Sequence, residues 1–127
     1  NIMSRLKTEE AFLDRNNVKV VVDCNSNALY FSREAIPSPW KGWEQLPRHM
    51  QTGIIAFRRD ALMNFNAMSE TELEKHESVD MNRVLESGGS IRMVATNDFT
   101  LGVDTEEELN LAENYLINDK TTKLYMT

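Results

Sequence analysis

The chain has 127 residues, 41% of them hydrophobic and 27% charged, an ordinary mix for one small globular domain with a core to bury. Fourteen Lys and Arg against 20 Asp and Glu leave it acidic, without the broad basic field that nucleic acid requires. The single cysteine, Cys24, excludes an internal disulfide framework and reads as a small turn residue, and no run approaches the roughly 20 apolar residues of a membrane span. The composition is that of a cytosolic protein. The chain begins at Asn1 rather than Met, which raises the expectation that something upstream has been removed.

Residues 1–17 carry weak helical spacing and end in the polar pair Asn16-Asn17, which reads as a turn. "VKVVVD" at 18–23 and "ALYFSR" at 28–33 are rich in β-branched and aromatic residues, and the intervening "CNSN" predicts a hairpin. The stretch "IPSPWKGWEQLP" at 36–47 holds all three prolines and both tryptophans, so it reads as a long loop. "TGIIAFRR" at 52–59 predicts a buried strand, followed by Asp60 as cap of a short helix "ALMNFN".

Thr71 and Glu74 stand in capping-box spacing at the head of a long helical run, and Gly88-Gly89 supply a left-handed stop. "SIRMVAT" at 90–96 predicts a strand. A last helix is expected from near Thr105, boxed by Glu108, with Leu109, Ala112 and Leu116 as its inner stripe and a polar, loose tail beyond Asn118. The order of elements is α/β.

Four groups could carry chemistry. Glu77 lies on or beside the apolar stripe of Met81, Val84 and Leu85, one turn from Asp80. It either meets an arginine such as Arg83 or Arg92 at the core boundary or, with Asp80, offers acceptors to a polyhydroxylated ligand. Strand alternation puts Tyr30 and Ser32 on one face and Phe31 and Arg33 on the other; Arg33 could clamp a carboxylate or make a surface salt bridge. Trp40 and Trp43 read as anchors to a core or a partner subunit rather than a stacking platform. Asp104, in "FTLGVDTEEEL", could cap the final helix or be one of the one or two carboxylates that hold a magnesium ion on nucleotide phosphates. His49 and His76 lack a ligand set at zinc spacing, and no Gly-rich phosphate loop is present.

"VKVVVDCNSNALYFSREAIPS", "GIIAFRRDAL", "LEKHESVDMNRVLESGGSIRMV" and "GVDTEEEL" together resemble the C-terminal half of the 3-deoxy-manno-octulosonate (Kdo) cytidylyltransferases, from about Val18 to Leu116. The resemblance implies the C-terminal portion of a Rossmann-like nucleotidyltransferase fold with a β-hairpin dimerisation region. It implies one domain over 1–127, with hairpin and loop at 18–50 on the dimer and sugar side and part of the catalytic fold at 51–117. It also implies a homodimer in which the anomeric hydroxyl of Kdo attacks the α-phosphate of CTP, with Mg2+ as cofactor and CMP-Kdo for lipopolysaccharide synthesis as product.

By position, Asp104 matches the family's metal-binding aspartate, Ser32 and Arg33 match sugar-site positions, and Glu77 with Asp80 falls in the helix that presents acceptors to the sugar. Gln51 stands where the family commonly has histidine, Ile55 where it has tyrosine, and Asp80-Met81 where it often has Glu-Gln. These departures leave Kdo, an amino-substituted Kdo or another ulosonic acid open. The family's N-terminal half, with its CTP-binding loop and second metal-binding aspartate, has no counterpart, so the chain reads as a fragment inactive by itself. The alternatives are part of a CMP-sialic acid synthetase, which usually carries Asp-x-Asp where this chain has Gly102-Val103-Asp104, and a non-catalytic dimerisation module.

Overall fold

The computed structural model describes residues 1–98, 100–103 and 105–125. Among these, β1 (Ile2–Arg5), β2 (Lys19–Val22), β3 (Ala28–Ser32), β4 (His49–Gln51) and β5 (Val94–Thr96) form a mixed sheet in the order β3-β2-β4-β1-β5. β1 runs parallel to β5 and antiparallel to β4, while β2 pairs antiparallel with both β3 and β4. The helices are α1 (Glu9–Leu13), α2 (Arg59–Ala67), α3 (Glu72–Glu77), α4 (Met81–Glu86) and α5 (Glu106–Asn118). The class is α/β, as expected.

The hairpin forms where the sequence puts it. Val20 faces Phe31 across the ladder and both are fully buried. Asp23 closes the loop by accepting the Asn25 and Asn27 amides on Oδ1, each at 2.8 Å.

Several expectations are corrected. Residues 1–17 are not mainly helical: β1 comes first, with Met3 paired to both Gln51 and Ala95, so flanking strands on either side override weak local spacing. Only Glu9–Leu13 is helical, started by the Thr8 hydroxyl, which accepts the Ala11 N–H at 3.1 Å, and held down by buried Phe12. The strand expected over 52–59 is displaced to His49–Gln51, because Gly53 at φ +80° leads the chain out of the ladder and leaves Ile54 59% exposed. Asp60 consequently lies inside the first turn of α2, and Arg58 occupies the cap position.

The run from Thr71 to Gly89 is two helices, not one. Its capping box and its stop at Gly88 (φ +79°) are present, but Ser78 turns left-handed at φ 51° between α3 and α4. The reason lies in packing: Val79 and Met81 are both buried, and residues two apart cannot share one helical face. Gly89 is required by contact, since a Cβ there would sit 2.7 Å from Val84 Cγ1 and 2.9 Å from its carbonyl oxygen.

Residues 91–93 are extended but pair with the start of β3, through Ala28 N–H to Ile91 O and Met93 N–H to Ser26 O, both 2.8 Å; β5 proper spans only Val94–Thr96. α5 has the expected Thr105–Glu108 capping box, but Leu109 and Leu116 are 48% and 52% exposed, so the expected inner stripe is not an inner one. Beyond Asn118 the expected loose tail contains a 3-10 turn, Thr122–Leu124, pinned by Asp119 accepting the Thr122 N–H at 2.6 Å.

Met3, Val20, Ala28, Phe31, Val79, Met81, Ile91 and Met93 form the core. Fully buried Asn82 sews it to β3, accepting from Phe31 N–H at 3.2 Å and donating to Phe31 O at 2.9 Å. It acts as a substitute for a neighbouring strand. Asn82→Leu keeps the volume but orphans both Phe31 groups, so the urea midpoint is expected to fall by an amount equivalent to about 2–3 kcal/mol. An unchanged midpoint would refute that role.

Candidate functional site

The end of β3 and the end of α3 meet in one polar cluster. Glu77, the last residue of α3, accepts the Tyr30 hydroxyl at 2.9 Å and the Ser32 hydroxyl at 2.8 Å on Oε1, and the Arg33 backbone N–H at 2.9 Å on Oε2. Alternation explains why Tyr30 and Ser32 reach the same oxygen. Arg33 lies just past the strand and escapes the alternation, so its backbone joins the same carboxylate. Its guanidinium returns the contact, donating from Nε to Glu77 O at 2.9 Å, from Nη1 to Arg15 O at 3.0 Å and from Nη2 to Ser78 O at 3.4 Å. Among the described residues, three of its five N–H donors are engaged and two are not.

Behind this cluster, fully buried Lys19 donates to the carbonyls of Asp14, at 2.7 Å, and Arg33.

Burial pushes the Glu77 carboxyl upward, but the bonds from Arg33 N–H, Ser32 and Tyr30, with the Arg33 charge, outweigh it and hold the group below its ordinary value. Tyr30 moves up, first through burial and then through its bond to Glu77. Lys19 moves down because burial outweighs the nearby carboxylates.

The arginines expected to meet Glu77 at the core boundary go elsewhere. Arg83 forms a two-pronged pair with Glu74, at 2.5 and 2.7 Å, and lies 4.5 Å over the Phe65 ring, while Arg92 donates to Asn25 O.

A cleft of about 390 Å3 opens at the α3–α4 break, lined by Val18, Arg33, Gln51, Glu70, Ser78 and Asp80 among others. The fold thus brings Arg33, Gln51 and Asp80 together from three separated segments. Glu77 and Ser32 do not line it; they bond to each other immediately behind its Arg33 wall. The Asp80 side chain is exposed and makes no hydrogen bond among the described residues, whereas Gln51 Oε1 is buried without a partner there.

A second cleft, about 370 Å3, lies at the carboxyl ends of β1 and β5, where Arg5, Lys7, Thr96 and Asp98 face Glu108 and Leu111 of α5. Asp104, the expected metal ligand, lies outside the described residues. Among those described, no group of three or more His, Cys, Asp or Glu could hold a metal ion. His76 is exposed and His49 half-buried. Trp43 lies 4.2 Å from the guanidinium of Arg48, which is buried and donates to Leu6 O, Trp43 O and Glu44 O; Trp40 is 87% exposed. Among the described residues, no helix is long and apolar enough to cross a membrane.

Sequence reasoning missed Lys19 and Asn82. Each carried a signal: a lysine inside a run of valines, and an amide beside Met81 within an apolar helix, are polar groups that need internal partners.

The family model described as cytidylyltransferase matches residues 1–96. The 3-deoxy-manno-octulosonate cytidylyltransferase of Fusobacterium nucleatum is 39% identical over 112 residues, 88% of this chain and 45% of that protein. The protein of the same name from Synechococcus elongatus is 46% identical over 99 residues, 78% of this chain and 41% of that one. A solved structure described as CMP:2-keto-3-deoxy-manno-octonic acid synthetase complexed with CTP superposes with a TM-score of 0.81 at 33% identity, over 91% of this chain and 47% of its own. The chain spans under half the length of these relatives.

Proposed function

Because the chain belongs to the cytidylyltransferase family, we propose that it forms the sugar-acid side of an enzyme that transfers CMP from CTP to Kdo or a related ulosonic acid, releasing pyrophosphate. The observation that carries this reading is the convergence of Arg33, Gln51 and Asp80 on one cleft, with Glu77 and Ser32 fixing its wall.

The two unengaged N–H groups of Arg33 take the sugar carboxylate. Asp80, an acceptor only, takes sugar hydroxyls, and Gln51 borders the same space. Glu77 and Ser32 act by positioning Arg33, so the acceptor sugar is held in one orientation while its anomeric hydroxyl faces the nucleotide. Magnesium, bound with CTP, supplies neutralisation of phosphate charge; Asp104 of "GVDT" would give it one carboxylate ligand, on the strength of the motif alone. The chain spans under half the length of its relatives, and on this reading the 127 residues alone are expected not to turn over CTP.

Exposed Trp40 and Leu29, on the loop and hairpin of the 18–50 region, support homodimer formation through that face. A cytoplasmic location suits soluble substrates of this kind.

Calorimetric titration with Kdo and magnesium tests the sugar site. Asp80→Asn is expected to weaken binding about tenfold or more, since a charge-assisted bond becomes a neutral one while no internal contact is lost. No CMP-sugar should form when CTP is added to the chain alone. Equal binding by both proteins, or none by either, would sink the assignment.

A further inference from the structure

The cleft at the α3–α4 break holds more charge than the capture of a carboxylate needs. Arg33, Glu70, Glu74, Lys75 and Asp80 all line it. Two of these are neutralised on the spot: Glu74 takes both prongs of Arg83, and Lys75 donates to Glu72 at 3.2 Å. Arg83 stands within electrostatic reach of Glu70 and Asp80, but its bonds go to Glu74 and to Met68 O. Glu70 and Asp80 are exposed and make no hydrogen bond or salt bridge among the described residues. One cation with donors to spare and two carboxylates are thus left open to a ligand.

A neutral polyhydroxy acid answers only half of this set. Its carboxylate pairs with Arg33, but its hydroxyls reach Asp80 and Glu70 as uncharged donors, so both negative charges stay without a counter-ion. Gln51 points the same way. It lines the cleft with its Oε1 buried and unpartnered, an acceptor in want of a donor. An ammonium group brings three donors, no acceptor and the missing charge. A bare metal ion fits less well, since among the described residues no group of three or more His, Cys, Asp or Glu could hold one.

We propose, resting on the sugar-acid function proposed above, that the cleft selects a zwitterionic sugar acid, one that carries an amino group in place of a hydroxyl. Arg33 takes the carboxylate. Asp80 takes the ammonium, with Gln51 Oε1 as a further acceptor and the Glu70 charge beside them.

Calorimetric titration at neutral pH compares Kdo with two amino derivatives, one substituted at the terminal hydroxyl and one at a ring hydroxyl. Hydroxyl and ammonium are close in size, so the comparison isolates charge. At least one derivative is expected to bind about three- to tenfold more tightly than Kdo, the gain of a charge-assisted bond over a neutral one at an exposed carboxylate. The advantage should shrink at high salt. Asp80→Asn should weaken the amino sugar more than it weakens Kdo, and Glu70→Gln should narrow the gap in the same direction. Two results overturn the inference while leaving the sugar site standing: Kdo binding at least as tightly as both derivatives, or a preference for the amino sugar that survives Asp80→Asn at full size. Failure of all three sugars to bind removes the sugar site itself and this inference with it.

Discussion

Glu77→Ala is expected to lower unfolding stability by about 3–4 kcal/mol and to abolish sugar binding at the Arg33 cleft. The carboxylate receives three donors, the Tyr30 and Ser32 hydroxyls and the Arg33 N–H. Truncation strands all three at a part-buried position, where each orphaned donor costs roughly 1–3 kcal/mol before relaxation. Water entering the gap recovers some of that, which sets the estimate below the sum.

The pH profile separates this role from simple packing. Glu77 has a folded pKa below its ordinary value near 4.5, so its contribution is fully present above the unfolded value and is lost as pH falls through the folded one. Wild-type protein should therefore lose stability on acidification below about pH 4.5, and Glu77→Gln should lose less. Glu74 has a depressed pKa as well, through its bonds to Arg83, and remains in the variant, so the profile flattens without becoming flat. Parallel profiles for wild type and Glu77→Gln from pH 6 down to 3 would contradict the assignment.

Lys19→Met should cost roughly 2–3 kcal/mol, read as a lower urea midpoint at neutral pH. Replacing a buried ion pair by apolar residues is often harmless, because both charges disappear together. Here the partners are the backbone carbonyls of Asp14 and Arg33, which no side-chain substitution removes. Methionine fills the channel of the lysine stem but takes the donor from Arg33 O and leaves Asp14 O with only the long bond from Asn17 N–H, 3.3 Å. Relief of the ammonium desolvation offsets part of the loss, which is why the expected figure is smaller than for Glu77. Since Arg33 O anchors the residue that presents its guanidinium to the cleft, weaker Kdo binding should accompany the lower midpoint. A variant as stable as wild type would show the lysine to be dispensable.

Local signals were legible where the chain satisfies its own backbone. The capping boxes Thr71–Glu74 and Thr105–Glu108, the stop at Gly88 and the hairpin around Asp23 depend on residues a few positions apart, and all were readable. β1 was not, because four residues become a strand only through partners at 49–51 and 94–96. Nor was the break at Ser78, which follows from Val79 and Met81 both entering a core whose other walls are distant in sequence.

The cleft shows the same division. Its residue types were visible as candidates, and the resemblance grouped Ser32, Arg33, Gln51, Glu77 and Asp80, but periodicity could not say that Arg83 would choose Glu74 over Glu77. Nor could it put Ser32 and Glu77 behind the surface rather than on it.

The contact between β3 and the end of α3 also determines how the cavity meets its occupant. Five hydrogen bonds from Tyr30, Ser32 and Arg33 to Glu77 and Ser78 lock the two walls to each other. Jaws fastened in this way do not swing shut on what enters. If the cleft holds the sugar acid as proposed, selection falls to the fixed outline of its mouth, so a bulkier substituent is turned away at the threshold instead of being accommodated by a yielding hinge.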